Sequence, residues 1–265
     1  MLANAVFHST TILTDSPPSR ASPLPQVRGL AMLQWPSPAT PPTEDPMPVT
    51  LRSNIAYRAF LFDMDGTLLN SIAAAERIWT RWALRHGVDV ATFLPTIHGV
   101  RAIDTIARQH LPGVDAEAEA EQITREEIED VEGVVQVPGA LAFLESLPPE
   151  RWAIVTSAPM GLALRRMEAA GIPRPLVMVT AEDVSDGKPN PTCYRLAAER
   201  LQVAPQECLV FEDAEAGIRA GEAAEADVMV VTATHTHPVV TLHPQIKDYL
   251  GLGLEVDEAG LMRIL

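Results

Sequence analysis

Two aspartates separated by one residue follow a short apolar run and could do chemistry together. The run covers residues 59–62, and Asp63 and Asp65 come directly after it. Side chains alternate along an extended chain, so both carboxylates can face one side of the loop. Carboxylates this close repel each other, which favours a bound cation or one raised pKa. Gly66 permits close backbone approach, and Thr67 can turn the chain and donate a hydrogen bond. The alternative is an ordinary acidic turn.

Polar residues at three later points could join these aspartates. Thr156 and Ser157 end a second apolar run and precede a helical pattern, an arrangement suited to holding phosphate oxygens. Lys188 lies in a turn rich in glycine and proline, and Glu212 and Asp213 end a further apolar run. Each of these residues also has an ordinary structural interpretation. Thr156 and Ser157 could be helix caps, and Lys188 could be a solvated lysine in a loop. Glu212 and Asp213 could be acids that the helix dipole favours at a helix N-terminus.

Taken together, these residues predict phosphoryl chemistry. Four acids opposed by one lysine, without histidine or cysteine in the pattern, form the kind of oxygen-rich site that Mg²⁺ prefers. A phosphate dianion that approaches an acidic protein needs a metal, a lysine and backbone amides where it binds. One carboxylate can then attack phosphorus and form an aspartyl phosphate, while a second acid moves the proton.

The elements that must position these residues alternate along the chain. Apolar runs at 59–62, 152–155, 177–179, 208–211 and 228–231 are separated by helical patterns at 139–147, 161–170, 191–201 and 214–224. This alternation predicts an α/β fold with a Rossmann-like parallel sheet flanked by helices. Right-handed crossovers place the carboxyl ends of the strands along one edge, where ligands bind in such sheets.

About 90 residues separate the first two apolar runs, far more than a crossover of a dozen or so requires. Helical patterns at 71–86, 102–110 and 117–132 fill this interval. The sequence therefore predicts an inserted small α-helical cap at 71–136 and a core at 51–70 and 137–265. Residues 1–50 hold ten of the 23 prolines without apolar periodicity, which predicts a disordered tail. A transit peptide, or a native start at Met32 or Met47, remains an alternative for this segment.

Charge and cysteine content limit the partners and the compartment. Lys and Arg number 20 against 35 Asp and Glu, giving a net charge of −15, and no basic run occurs. This balance argues against nucleic acid and anionic membrane surfaces as partners. No window reaches the roughly 18 apolar residues of a membrane-spanning helix. Cys193 and Cys208 lie outside any CxxC or zinc pattern and no secretory leader is evident, so we expect reduced thiols in a cytoplasmic protein, as a monomer or weak dimer.

Four ordered motifs resemble those of the haloacid dehalogenase superfamily of phosphohydrolases. They are Phe62-Asp63-Met64-Asp65-Gly66-Thr67, Val155-Thr156-Ser157, Gly187-Lys188-Pro189-Asn190-Pro191, and Phe211-Glu212-Asp213 with Ala216-Gly217-Ile218. The resemblance covers roughly residues 57–240 and implies that Asp63 is the nucleophile and Asp65 the general acid and base. An aspartate at the first position is typical of the phosphatases rather than the dehalogenases, and Asp65 stands where the transporting ATPases carry threonine.

The resemblance also implies the phosphate and metal ligands. Thr156 and Lys188 would hold the phosphate. Asp213 would bind Mg²⁺ beside the nucleophile and the carbonyl of Asp65, and Glu212 would be a nearby acid that reaches the metal through water.

The insertion has the position of the type-one cap of this superfamily, which closes over small substrates and excludes water. Its segment 98–101, with Asp104, resembles that of phosphatases acting on sugar, polyol and glycerol phosphates, including 2-deoxyglucose 6-phosphate. The resemblance implies a Mg²⁺-dependent phosphatase for small sugar or polyol phosphate monoesters. The predicted substrate contacts are Thr67, Ser157, His98, Gly99, Arg101 and Asp104. Alternatively, Arg101 and Asp104 cap a helix and His98 lies on the surface.

Other functions stay open at this point. A glycerol phosphate or phosphoglycolate phosphatase would share every motif. A β-phosphoglucomutase carries a histidine early in the first cap helix and an arginine after the glycine of the cap loop. Residues 70–75 contain no histidine here, and Ala102 stands near the expected arginine. A binding protein without catalysis is the least favoured alternative, because every motif residue is present.

Overall fold

A computed structural model describes residues 55–235 and 241–265. The predicted tail at 1–50 lies outside the described residues. The strands are β1 (Ala59–Phe62), β2 (Leu69–Asn70), β3 (Val135–Gln136), β4 (Trp152–Val155), β5 (Val177–Val179), β6 (Cys208–Glu212), β7 (Asp227–Val231), β8 (Gln245–Ile246), β9 (Leu254–Val256) and β10 (Met262–Ile264). The α-helices are α1 (Ile72–His86), α2 (Val90–Phe93), α3 (Ala102–Ala107), α4 (Ala116–Glu129), α5 (Ala140–Ser146), α6 (Met160–Ala170), α7 (Thr192–Arg200) and α8 (Glu215–Ala223).

A parallel sheet of six strands, in the order β5-β4-β1-β6-β7-β8, forms the centre of the structure. Helices flank the sheet, which confirms the predicted α/β class. The register pairs Phe62 with Ile154 on one side and Phe211 on the other, so these strands end at one level. The residues that follow them in the chain therefore meet at a single edge of the sheet.

Side chains alternate between two hydrophobic cores, one on each face of the sheet. Phe60 and Phe62 belong to an aromatic cluster on one face, while Ala59 and Leu61 pack into a mainly aliphatic core beneath α7 and α8. The members of the aromatic cluster are Phe60, Phe62, Phe143, Phe211 and Tyr249. The Phe62 and Phe211 rings stack with centroids 4.6 Å apart. Strands buried on both faces read as continuous apolar runs, which is why the sequence predicts them well.

The helices α1 to α4, here called the inserted helices, leave and rejoin the core through a small hairpin. Strands β2 and β3 pair antiparallel, with Asn70 opposite Val135. The inserted helices bury a core of their own that includes Trp79, Trp82 and Ile123. Helix α4 ends at Glu129 rather than at residue 132, because Asp130 is extended and binds Arg77 at 2.6 Å.

The sequence did not predict the short strands β2, β3, β8, β9 and β10. Segments of two or three residues are too short to show a period of two. The hairpin of β9 and β10 returns to the core, where Met262 bridges to Tyr57. No helix in the described part of the chain is both long and apolar enough to cross a bilayer.

The aromatic cluster predicts one large stability effect. Phe143 on α5 is buried and stacks on the Tyr249 ring at 5.4 Å. We expect Phe143→Ala to lower the free energy of unfolding by about 3–5 kcal/mol, because the lost contacts leave a cavity. Denaturant unfolding would measure the change. The matched control Leu84→Ala, at a side chain that is 68% exposed, should stay within about 0.5 kcal/mol of the parent. A similar loss in both variants would contradict the role of the cluster.

Candidate active site

Three buried carboxylates meet at the edge of the sheet where β1 and β6 end. Asp63 follows β1, Glu212 is the last residue of β6, and Asp213 comes next. One oxygen of each lies within 4.8 Å of the others. The backbone pairing continues past β1, since the Asp63 N–H donates to the Phe211 carbonyl at 2.9 Å. The predicted grouping of these acids at one edge is therefore present.

Lys188 is buried among these acids and reaches two of them. Its Nζ donates to Asp63 Oδ1 at 2.6 Å, to Glu212 Oε1 at 2.7 Å and to the Val155 carbonyl at 3.0 Å. Burial lowers the pKa of Lys188, but the charges of Asp63 and Glu212 outweigh it, and the net shift is upward. The lysine is therefore an ammonium ion that joins the two carboxylates.

Glu212 is fixed by hydrogen bonds on both of its carboxylate oxygens. Its Oε1 accepts from Lys188 and from the Tyr194 hydroxyl at 2.8 Å. Its Oε2 accepts from the N–H groups of Asp213 and Ala214 at 3.0 and 3.1 Å. A Cβ at Gly217 would lie 1.6 Å from Oε1, so the carboxylate occupies the space of a missing side chain. Glu212 thus orients Lys188 and the chain entering α8.

The oxygen atoms at this site are suitable ligands for a magnesium ion. Asp63 Oδ2 is buried and has no hydrogen-bond partner within the described chain. Gly66 has φ +94°, and a Cβ there would lie 1.9 Å from Asp213 Oδ2, so the backbone packs directly against this carboxylate. The acids Asp63, Glu212 and Asp213 are the one group of three metal-ligating side chains found in residues 55–235 and 241–265. Carboxylate oxygens without thiols or imidazoles fit Mg²⁺.

Burial and mutual repulsion change the pKa values of these acids. Burial raises the pKa of Asp63 to about 7, with a further rise from the Glu212 charge, while Lys188 opposes the shift. Burial and the Asp63 charge also raise the pKa of Asp213. One ammonium does not balance three buried carboxylates, so the site favours either a proton or an added cation.

Asp65 belongs to a second charged cluster that the sequence did not predict. Its Oδ1 accepts from the Ser71 hydroxyl at 2.6 Å and from Arg166 Nη1 at 2.9 Å. Arg166 Nη2 lies 3.1 Å from Glu127 Oε1, and both of these side chains are buried. Arg166 occupies the apolar stripe of α6 that contains Leu162, Ala163, Met167 and Ala170. The charged Arg166 within this apolar stripe is the feature of the sequence that could have predicted the cluster.

A cavity lies above these acids, between the sheet edge and the inserted helices. Asp63, Asp65, Asp213, Thr156 and Ser157 line its lower side. The inserted helices and their loops contribute an upper wall of mixed polarity. That wall includes Ile72, Trp79, Ile97, His98, Gly99, Thr124 and Glu127.

The loop at 98–101 contacts the core at Gly99. The Ser157 hydroxyl donates to the Gly99 carbonyl at 2.9 Å. Gly99 has φ +71°, and a Cβ there would lie 2.7 Å from the Ala214 Cβ. His98 lines the cavity, with its Nε2 3.6 Å from Glu76 Oε1. Burial lowers the pKa of His98, although Glu76 opposes the shift.

Three of the predicted substrate contacts do not line this cavity. Thr67 is fully buried, and its Oγ1 bonds Asp213 Oδ1 at 3.4 Å. Arg101 pairs with Asp104 at 2.7 Å and donates to the Val184 carbonyl at 3.1 Å. Arg101 and Asp104 line a separate cleft beside the loop that carries Lys188. The guanidinium already has partners that hold it on the core, and it therefore points away from the cavity.

Asp63 gives the site a testable dependence of stability on pH. A pKa raised from 3.8 to about 7 means that ionising Asp63 costs folding free energy. This cost is absent below the unfolded pKa and complete above pH 7. We expect Asp63→Asn to raise the melting temperature of the metal-free protein by several degrees at pH 8 and by less than half as much at pH 5. Thermal melts would measure both values. Glu121→Gln, at an exposed acid, is the control, and an equal shift at both pH values would contradict the assignment.

Known proteins resemble this chain in sequence and in structure. A sequence model of the haloacid dehalogenase-like hydrolases matches residues 57–225. Hexitol phosphatase A of Escherichia coli is 45% identical over 186 residues, which are 68% of this chain and 86% of that protein. Glycerol-1-phosphate phosphohydrolase 2 of Saccharomyces cerevisiae is 33% identical, covering 71% and 78% of the two chains.

Solved structures share the fold at lower identity. A HAD hydrolase of family IA, variant 3, from Entamoeba histolytica has a TM-score of 0.64 at 20% identity, covering 74% of this chain and 95% of that one. The four motifs, the parallel sheet and the sequence match agree, and they show that this chain belongs to the haloacid dehalogenase-like hydrolase family.

Proposed function

We propose that the protein is a Mg²⁺-dependent phosphatase that hydrolyses small sugar or polyol phosphate monoesters through an aspartyl phosphate on Asp63. The observation that carries the proposal is the environment of Asp63. One of its oxygens is bound to Lys188, the other has no partner in the described chain, and the residue lines the cavity. The similarity to phosphatases named for hexitol and glycerol-1-phosphate supports the substrate class.

In the first step, Asp63 Oδ2 attacks the phosphorus of the bound ester. A bond forms between this oxygen and phosphorus, and the bond from phosphorus to the ester oxygen breaks. Asp65 gives its proton to the departing oxygen, so the alcohol leaves neutral. Ser71 and Arg166 both donate to Oδ1 of Asp65. These donors occupy Oδ1 and leave Oδ2 as the oxygen that would give and take the proton.

In the second step, water hydrolyses the aspartyl phosphate. Asp65, now a carboxylate, takes a proton from the water whose oxygen attacks phosphorus. The bond from phosphorus to Asp63 Oδ2 breaks, inorganic phosphate leaves, and both aspartates return to their starting states. Thr156 and Ser157, which line the cavity, would hold the phosphate oxygens during both steps. Lys188, which is bound to Asp63, would offset the negative charge on that side chain.

Mg²⁺ would be held by the carboxylates of Asp63 and Asp213 and by the backbone carbonyl of Asp65. When bound, the ion neutralises negative charge on the phosphate and on Asp63, which permits one anion to approach the other. Glu212 would act on the site through Lys188, because its own oxygens already accept four hydrogen bonds.

We propose that residues 71–136 form a cap over a catalytic core made by the described residues on either side. Ser157 binds the Gly99 carbonyl, Arg101 binds the Val184 carbonyl, and Arg166 binds Glu127. Each contact joins the inserted helices or their loops to the core. A cap held in this way would exclude bulk water from the phosphorus and restrict the substrate to a small molecule.

The nucleophile assignment makes the first activity prediction. We expect Asp63→Asn to lower phosphate release by on the order of 10⁴-fold or more, because an amide oxygen is a poor nucleophile. Release would be measured with Mg²⁺ across hexitol, hexose and deoxyhexose 6-phosphates, glycerol phosphate, phosphoglycolate and β-glucose 1-phosphate. Glu121→Gln is the matched control and should keep full activity.

Two outcomes of that assay would contradict the proposal. Activity that survives in Asp63→Asn would remove the aspartyl phosphate mechanism. Release confined to phosphoglycolate, or isomerisation of β-glucose 1-phosphate without release, would overturn the substrate class while leaving the nucleophile in place.

His98 should affect the substrate more than the chemistry. Its imidazole lines the cavity beside Glu76, where it can hydrogen-bond a substrate hydroxyl. We expect His98→Ala to lower kcat/KM for a hexitol phosphate by about tenfold, with a smaller effect on an aryl phosphate that lacks hydroxyls. Steady-state kinetics would compare the two substrates, with His243→Ala as the control. Equal losses on both substrates would rule out this specificity role.

A further inference from the structure

The buried pair of Arg166 and Glu127 joins the two sides of the cavity wall. Arg166 belongs to α6 of the core and Glu127 to α4 of the inserted helices. Their side chains are 7% and 8% exposed, and Nη2 lies 3.1 Å from Oε1. Both residues line the cavity that contains Asp63. Charges at this depth are weakly screened, so they act strongly on any charged group that enters.

Arg166 has no free charge to offer a substrate. Nη1 is bound to Asp65 at 2.9 Å and Nη2 to Glu127 at 3.1 Å. Apart from His98, Arg166 is the one cationic residue among the described residues that line this cavity. An anionic group distant from the reacting phosphate would therefore meet the Glu127 carboxylate without a cation to bind it. Like charges brought together in a confined site repel each other and weaken binding.

Glu127 can nevertheless bind neutral hydroxyls. Arg166 Nη2 is paired with Oε1 of this carboxylate. An ionised carboxylate has about four lone-pair positions, so acceptor capacity remains. Hydroxyl groups of a polyol can donate to it without adding charge to the wall. The wall therefore suits a chain of hydroxyls and disfavours a carboxylate or a second phosphate.

We propose that Glu127 is a specificity-determining residue: by neutralising Arg166, it restricts the cavity to phosphate monoesters whose remaining part is neutral and polyhydroxylated. This inference rests on the proposed phosphatase function and narrows its substrate class. It assigns to Glu127 the rejection of substrates that carry a second anion, and it predicts that an uncompensated Arg166 would accept them.

A matched pair of substrates tests the inference. Glucitol 6-phosphate and 6-phosphogluconate differ at the carbon farthest from the phosphate, which is a neutral alcohol in one and a carboxylate in the other. The measured quantity is the ratio of kcat/KM for the neutral substrate to that for the anionic one. A ratio cancels general losses of activity, including any that act through Asp65. The parent protein should prefer the neutral substrate at least tenfold.

Three variants separate charge from structure. Glu127→Gln keeps the size and an acceptor for Arg166 but removes the charge, and it should lower the ratio about tenfold or more, equivalent to about 1.4 kcal/mol. Glu127→Asp keeps the charge and should restore a high ratio. Glu121→Gln removes one charge from an exposed position of the same helix, and its ratio should equal that of the parent.

The outcomes distinguish this inference from the proposed function. Absence of phosphate release from every neutral substrate would refute the phosphatase itself. A phosphatase whose parent form uses both substrates equally would refute the inference, even if Glu127→Gln failed to fold. A folded Glu127→Gln variant with a ratio within twofold of the parent would also refute it, as would an equal fall in Glu121→Gln.

Discussion

The repulsion among Asp63, Glu212 and Asp213 is the constraint on which the rest of the structure depends. Their oxygens lie within 4.8 Å of one another in the interior, and Lys188 supplies one ammonium between two of them. Burying unbalanced charge is costly unless partners are provided. The parallel sheet holds these carboxylates together because the register of β1 and β6 brings their ends to one level. This uncompensated negative charge would favour binding of a cation, and the cation would in turn favour binding of a phosphate.

The backbone around the acids is shaped by the same constraint. A side chain at Gly66 would overlap Asp213, and one at Gly217 would overlap Glu212. These two glycines therefore give space to carboxylates rather than flexibility to loops. Lys188 is positioned in turn by Glu212, so a change at Gly217 would reach Asp63 through two intervening side chains. Gly217, Glu212 and Lys188 thus all contribute to the geometry around Asp63.

Sequence patterns predicted the sheet edge well because each signal there is local. An apolar run followed by acids places Asp63 and Asp213 on strand ends without knowledge of any distant contact. The direction of a side chain in the inserted helices depends on contacts with residues far away in the sequence. The periodicity of the sequence carries no information about such contacts. Arg101 was therefore expected in the cavity but binds the core backbone. Arg166 was not predicted as a site residue, because it lies on the apolar stripe of α6. It lines the cavity together with Glu127.

In the proposed function, chemistry and recognition come from different parts of the chain, and they meet in one cavity. The groups that would act on phosphorus follow the strands of the core, whose register fixes their positions. The groups that face the rest of a substrate include His98 and Glu127, which lie on elements with a hydrophobic core of their own. Since the two sets belong to separate hydrophobic cores, most of the wall can change without touching the acids. Arg166 is the exception, because it touches Asp65 and Glu127 at once. A change in the charge of Glu127 would therefore also affect Asp65, the residue that would transfer the proton.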